Sequence, residues 1–335
     1  MNNALKNIRI KLSIILSLSI LLTLFSSCSI IIKNNDSNVK SGLGEISEPT
    51  IGEFTTDESN ENKSEEDLLN PISEQKRELV YKEEIVRYDF FAPYATYSAI
   101  FDGTAKLYRL DKNNPNYKGK VITVNAGHGT KKGSLLKTFS HPDYTPKVSG
   151  GTNAEGSVLS SAISDGTTLN SGMSEAAANL LVANALKDKL LMDGYSVLMI
   201  REDDDCRLDN VARTVIANEN SDAHIAIHFD STDTDKGIFF MTPYNSETYL
   251  NMEPLKSNVN NIRKLGKCII DAFKEMGEKV WKDRGTLQGD LTQISYSTIP
   301  SVDIELGDKK TELTDEKIDI FAEGIKNGIN DFFGY

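Results

Sequence analysis

From Lys120 onward the chain alternates short apolar runs with helical patterns, and this alternation constrains its fold more than any other feature. The apolar run Val121–Ala126 precedes a helical pattern over Glu175–Met192, a strand-like run Ser196–Ile200 and a second helical pattern over Leu208–Asn218. Strands over His224–His228 and Gly237–Met241, a helix near Ser257–Glu278, a strand over Ser301–Leu306 and a last helix over Thr314–Phe332 continue the series. Strands that alternate with helices are joined by crossovers, which build a parallel sheet with helices on its faces. The expected fold is α/β: a single domain with a twisted, mostly parallel central sheet flanked by helices. In the first helix Ala178, Val182, Leu186 and Leu190 recur at i, i+4 and mark the buried face. Glu175 opens that helix on the same side.

Ahead of this region the composition changes. Lys6, Arg9 and Lys11 precede an apolar run from Leu12 to Phe25, followed by Ser26, Ser27 and Cys28. The run is short for a spanning helix, which needs about 20 residues, and it suits a signal peptide over residues 1–27. Small residues before a cysteine resemble the bacterial lipobox, which implies lipidation of Cys28 and attachment to a membrane. Residues 28–80 are rich in Asn, Ser, Glu, Asp and Lys without an apolar period, and read as a disordered acidic tether. Residues 81–119 carry aromatic side chains but no chemical motif, and are expected to pack on the domain as an extension. The chain's formal charge of -12 argues against a nucleic-acid partner. Its three cysteines, Cys28, Cys206 and Cys268, form neither a disulfide framework nor a CxxC pair, so any metal must take nitrogen and oxygen ligands.

Open α/β sheets bind ligands beyond the carboxyl ends of their strands. The strand VITVNA runs into Gly127, His128 and Gly129; the strand HIAI runs into His228; the strand VDI runs into Glu305. Two imidazoles with one carboxylate make the protein ligand set of many hydrolytic zinc sites, which keep a fourth position for water. Glu175, at a helix N-terminus, stays ionised there, as a ligand must.

Taken together, these segments resemble the zinc-dependent N-acetylmuramoyl-L-alanine amidases of the amidase-3 family. Ala126–Gly129 is similar to the family's opening AGHG. Glu175, Asn179, Ala183, Leu190, Gly194, Val197 and Arg201 are similar to its helix and following strand. Arg213, Ala217 and Asn218 resemble its R…AN helix, Ile227 and His228 its second metal histidine, and Glu305, Leu306 and Gly307 the ELG of its catalytic glutamate. The likeness runs from about Lys120 to the C-terminus and implies a catalytic domain over residues 120–335. It implies Zn2+ held by His128, Glu175 and His228, with Glu305 as general base. The implied reaction is hydrolysis of the amide between N-acetylmuramic acid and L-alanine of the stem peptide, with peptidoglycan as substrate. Asp303 is the runner-up base, and Arg201 and Arg213 are candidates to orient carboxylates behind the metal. An exported protein on the outer face of the cytoplasmic membrane, held by Cys28, follows from leader and resemblance together. No regulatory protein partner is legible.

The chain departs from the family pattern in three places. Residues 131–172 form a long Gly/Ser/Thr-rich insertion between His128 and Glu175, whose length suggests a lid or autoinhibitory loop over the metal and makes Glu155 a rival ligand. Phe229, Asp230 and Ser231 follow the second histidine, where Ala-Asn-Ala is usual. Asp308 follows Gly307 in place of an aromatic residue. His141 and His224 are read as structural. Two other readings remain open: a catalytically inactive wall-binding or regulatory lipoprotein, and a zinc peptidase or deacetylase of the wall.

Overall fold

The computed structural model describes residues 79–335. The expected signal peptide, the Cys28 lipidation site and all but the last two residues of the expected tether lie outside the described residues. The elements in chain order are β1 (Tyr81–Arg87), β2 (Thr104–Leu110), β3 (Val121–Ala126), β4 (Lys137–Phe139), β5 (Leu159–Ser161), α1 (Glu175–Met192), β6 (Ser196–Met199), α2 (Asn210–Asn220) and β7 (Ala223–Asp230). They continue with β8 (Phe239–Pro243), α3 (Glu247–Leu250), α4 (Leu255–Glu275), β9 (Thr286–Gly289), α5 (Thr292–Tyr296), β10 (Ser301–Asp308) and α6 (Asp315–Phe333). No helix among the described residues is long and apolar enough to cross a membrane.

Eight strands form one mixed sheet in the order β1-β2-β6-β3-β7-β10-β8-β9. Its centre, β6-β3-β7-β10, is parallel, as the strand–helix alternation requires. β8 runs antiparallel to β10 because it follows β7 without a helical crossover. Residues 81–119 supply β1 and β2, two antiparallel strands that extend the β6 edge. Residues 131–172 hold the separate two-stranded ribbon β4–β5.

Side chains alternate across a strand, and here the alternation separates core from chemistry. Ile225, Ile227, Val302 and Ile304 join Val182, Leu186, Ile269, Phe273 and Ile325 in the main core, all fully buried or nearly so. Their neighbours His224, His228, Asp303 and Glu305 therefore face the other side of the sheet. That side is closed in part by α2, whose Ala212 and Ile216 pack on Leu198 and Ile200.

Asp209 fastens the N-terminal extension to this layer. It caps α2 through the amide of Ala212, and its carboxylate also accepts the amides of Ala99 and Ile100 at 2.6 and 2.9 Å. The residue is fully buried, so removing the carboxylate strands two amides away from water as well as losing a cap. A cap is worth about 1 kcal/mol and each orphaned buried donor about 1–3 kcal/mol. The substitution Asp209→Ala is accordingly expected to lower unfolding free energy by about 3 kcal/mol or more. Hydrogen exchange should show the loss of protection concentrated at Ala99 and Ile100; unchanged protection there would refute this role.

Candidate metal centre

Three strand ends and one helix start converge at a point. β3, β7 and β10 are neighbours in the sheet, and their parallel register sets Ala126 beside Ile227 and His228 beside Glu305. The turn after β3 and the ends of β7 and β10 thus reach the same height at the carboxyl edge. His128 stands on that turn with a left-handed φ of 62°, a costly conformation for a residue with a side chain. Gly127 precedes it because the His228 ring lies against the backbone there: a Cβ would come within 2.1 Å of His228 Cε1.

Glu175 enters from the start of α1, where the Ser174 hydroxyl caps the helix by accepting from the Ala177 amide. Its Oε1 lies 2.8 Å from His128 Nε2 and 3.0 Å from His228 Nδ1, and these two nitrogens are 3.1 Å apart. One ligand atom from each of the three residues falls within 4.8 Å of the others. Donors spaced near 3 Å suit a tetrahedral divalent ion with bonds of about 2.0–2.2 Å, so this donor set fits such a metal. His128 Nδ1 donates to the Ser164 carbonyl at 2.8 Å, which leaves Nε2 unprotonated toward the meeting point. Behind His228, Nε2 lies 3.6 Å from Asp303 Oδ2, ion-pair range but beyond a hydrogen bond. Glu155 sits on an exposed turn of the insertion, outside this group.

The electrostatics favour a cation. Burial raises the Glu175 carboxyl, but its bonds to both imidazoles hold it well below the usual carboxylate range. Burial opposes a charge on His228, yet Asp303, Glu175 and Glu305 outweigh it and push the imidazole up to about 10. Burial lifts Asp303 and, further, Glu305 above ordinary carboxyl values. Glu305 lines the same cleft as the three donors, and its buried Oε2 has no hydrogen-bond partner.

Arg201 and Arg213 do not orient carboxylates, contrary to the sequence expectation: neither pairs with one among the described residues. Their guanidinium groups hold backbone instead. Arg201 donates to the carbonyls of Ala126, Gly127 and Ala176 at 2.8, 2.9 and 2.6 Å. Arg213 donates to the carbonyls of Leu208, Ala126 and His128 and to the Asn125 side chain. His224 is fully buried beside Asn125, and burial with the nearby Arg213 charge pulls it down to about 3. It is a neutral structural residue.

The insertion is a wall rather than a cover. With the strand ends it lines a cleft of about 680 Å³ whose floor includes His128, Glu175, His228 and Glu305. It also touches the donors directly, for the Thr167 amide donates to Glu175 Oε2 at 2.9 Å and Ser164 fixes His128. Asp290, after β9, anchors it by accepting from Lys147 Nζ at 2.5 Å and the Val148 amide at 2.6 Å, and His141 Nε2 lies 3.3 Å away. None of this was readable in the sequence, because Thr167 acts through its backbone, Ser164 through its carbonyl and hydroxyl within a segment without motif, and Asp290 lies in no motif. Of the departures from the family pattern, Phe229, Asp230 and Ser231 line the cleft, and the Phe229 amide donates to Glu175 Oε1 at 3.2 Å; Asp308 lies outside it and accepts the amides of Thr234 and Lys236.

Gly166 shows how closely the insertion fits. A Cβ there would lie 2.8 Å from His128 Cδ2 and 2.9 Å from Glu175 Oε2. The substitution Gly166→Ala should displace both donors and weaken divalent-ion affinity by roughly 10- to 100-fold with the circular dichroism spectrum kept. Chelator competition measures this, and wild-type affinity in the variant would contradict the contact.

The N-acetylmuramoyl-L-alanine amidase family Amidase_3 matches residues 122–331. Among solved structures, the N-acetylmuramyl-L-alanine amidase of Mycobacterium smegmatis is similar in fold, with a TM-score of 0.52 at 20% identity over 64% of this chain and 97% of that one. The apo form of the enzyme from Mycobacterium abscessus gives 0.49 at 21% identity over 64% and 99% of the two chains. No curated protein matches the chain. With more than half of its residues inside the family match and the motif residues gathered in one cleft, the chain belongs to the Amidase_3 family of N-acetylmuramoyl-L-alanine amidases.

Proposed function

We propose that this chain is a zinc-dependent peptidoglycan amidase that cleaves the amide between N-acetylmuramic acid and L-alanine of the stem peptide. The observation that carries the reading is the meeting of His128, Glu175 and His228 within 4.8 Å, in a cleft shared with Glu305, in a member of this family. Two imidazoles and one carboxylate, with the fourth direction toward the cleft, suit zinc better than the oxygen-preferring calcium or magnesium. Zinc when bound supplies Lewis acidity, which makes water a usable nucleophile near neutral pH and polarises the scissile carbonyl.

The chain's own residues do the rest. The cleft holds the muramoyl peptide with its amide beside Glu305. The unpartnered Oε2 of Glu305 takes the proton of the attacking water and passes it to the leaving nitrogen of L-alanine. A carboxyl whose pKa burial has raised is suited to both halves of that transfer. Asp303 is the positioning residue that holds His228.

Glu305→Gln should lower kcat by about 10²- to 10⁴-fold while zinc content stays at wild-type level. Chelation of the wild-type enzyme should abolish release of stem peptide from muramoyl peptides, and added zinc should restore it. An enzyme indifferent to both treatments would end this reading.

We also propose that residues 1–27 direct export, that Cys28 carries lipid, and that residues 28–80 tether the catalytic domain to the outer face of the cytoplasmic membrane. The basic–apolar–Cys order of the leader supports this. Cys28→Ser should shift the protein from the membrane fraction to the medium or the soluble envelope fraction and remove metabolic palmitate labelling; an unlabelled wild type would exclude the lipid anchor.

A further inference from the structure

A second cavity lies beside the catalytic cleft, outside any motif of the sequence. It measures about 190 Å³ and is lined by Tyr97, Phe139 and Tyr144 together with Lys137, Thr138 and Leu159. The rings form a corner: Phe139 stands at 87° to Tyr144 with centroids 4.6 Å apart, and at 80° to Tyr97. Hydroxyls crowd the rim, where the Tyr97 hydroxyl donates to the Pro142 carbonyl and lies 3.2 Å from that of Tyr144.

Two features of this corner point to a ligand. Tyr144 adopts a left-handed φ of 65° yet leaves 54% of its surface exposed. A bulky residue in that region is strained, and a half-exposed ring returns little burial for the strain. Thr138 is 2% exposed, and its Oγ1 lacks any partner. Apolar faces with polar edges are what an N-acetylated pyranose presents, and aromatic side chains with hydroxyl tips match both parts. The cavity has the size for one such ring.

Continuity with the cleft identifies the occupant. One ribbon walls both cavities: Lys137, Thr138, Phe139 and Leu159 line the aromatic corner, whereas Ser160 and Ser161 line the cleft, and Thr138 pairs with Ser160 across the ribbon. Resting on the proposed action on peptidoglycan, we propose that the Tyr97–Phe139–Tyr144 corner is a subsite for an N-acetylhexosamine of the glycan strand, away from the cleaved amide. Glycan bound there holds neighbouring stem peptides at high effective concentration over the metal centre.

The test uses the full zinc-loaded chain, a soluble tetramer of N-acetylglucosamine that lacks stem peptide, and the variants Tyr144→Ala and Tyr144→Trp. The tetramer should bind the wild type saturably; Tyr144→Ala should weaken it by roughly tenfold or more, and Tyr144→Trp should keep it. Hydrolysis of intact wall should fall severalfold in Tyr144→Ala, with cleavage of a short soluble muramoyl peptide unchanged. Absence of tetramer binding, equal binding by Tyr144→Ala, or an equal loss on both substrates would overturn the proposal. So would self-association that Tyr144→Ala abolishes without any tetramer binding, since the face would then join two copies. Failure of the wild type to cleave the short substrate would instead count against the amidase reading, and the tetramer titration would still decide the subsite.

Discussion

Two buried guanidinium groups without carboxylate partners hold the turn on which the site depends. Arg201 and Arg213 are almost inaccessible to solvent, and a buried cation costs several kcal/mol unless it is compensated. The compensation comes from the carbonyls of Ala126, Gly127 and His128, each of which accepts from at least one of the two. A planar fork of donors can bind several carbonyls at fixed angles, which a lysine ammonium cannot do. The left-handed His128 needs such a clamp, because nothing local to the turn favours that conformation. Arg201 also reaches the carbonyl of Ala176, so the same side chain ties the histidine turn to the helix start that presents Glu175. Burial and the neighbouring Arg213 lower Arg201 to about 10, a sign that the two charges sit close together out of water. Their positive field lies behind the loop, and the carboxylates of Glu175, Asp303 and Glu305 lie in front.

The sequence exposes this architecture where side-chain period carries information and conceals it elsewhere. The bounds of β3 and α1 coincide with the expected segments, because β3 is a continuous apolar run and α1 has a clean i, i+4 face ending at Gly194. The other helices and central strands shift by a few residues; α2 begins at Asn210 because Asp209 is its cap. β1, the edge strand, is exposed or half-buried throughout and β2 mixes exposed with buried positions, so neither has the apolar density that marks the central strands. Short β4, β5 and β9 are defined by pairing partners distant in sequence, which no local period reports. The convergence of His128, Glu175 and His228 was legible because all three stand at element ends; the contacts of Ser164 and Thr167 left no trace. For Arg201 and Arg213 the sequence supplies position without partner, and the natural guess of an ion pair is wrong because backbone carbonyls serve instead.

The insertion changes character once its contacts are known. Its length and glycine content suggest a detached cover, yet Asp290 fixes it through buried donors from Lys147, Val148 and Ser149. A carboxylate with that many donors is held far below its ordinary pKa against the burial that would raise it. The segment is thus fastened to the domain by buried polar contacts at Asp290. The β4–β5 ribbon borders two cavities: Ser160 and Ser161 line the cleft that holds His128, Glu175 and His228, and Lys137, Thr138, Phe139 and Leu159 line the aromatic corner.

Where the described residues leave buried polar atoms unsatisfied gives the same map by a different route. The atoms are Thr138 Oγ1, His141 Nε2, Asn179 Oδ1, His224 Nδ1 and Glu305 Oε2. His141 Nε2 lies at ion-pair range of Asp290 but outside hydrogen-bond geometry, so it is the mildest case. Each such atom costs about 1–3 kcal/mol, and a fold under selection for stability alone would remove them. Only Asn179, on α1, lies beside the helix-packed core. Thr138 lines the aromatic corner, His141 the insertion anchor, Asn179 and His224 the back of the histidine turn, and Glu305 the cleft. Of these, Glu305 Oε2 borders the cleft and Thr138 the aromatic corner, whereas Asn179, His141 and His224 are buried structural groups behind them.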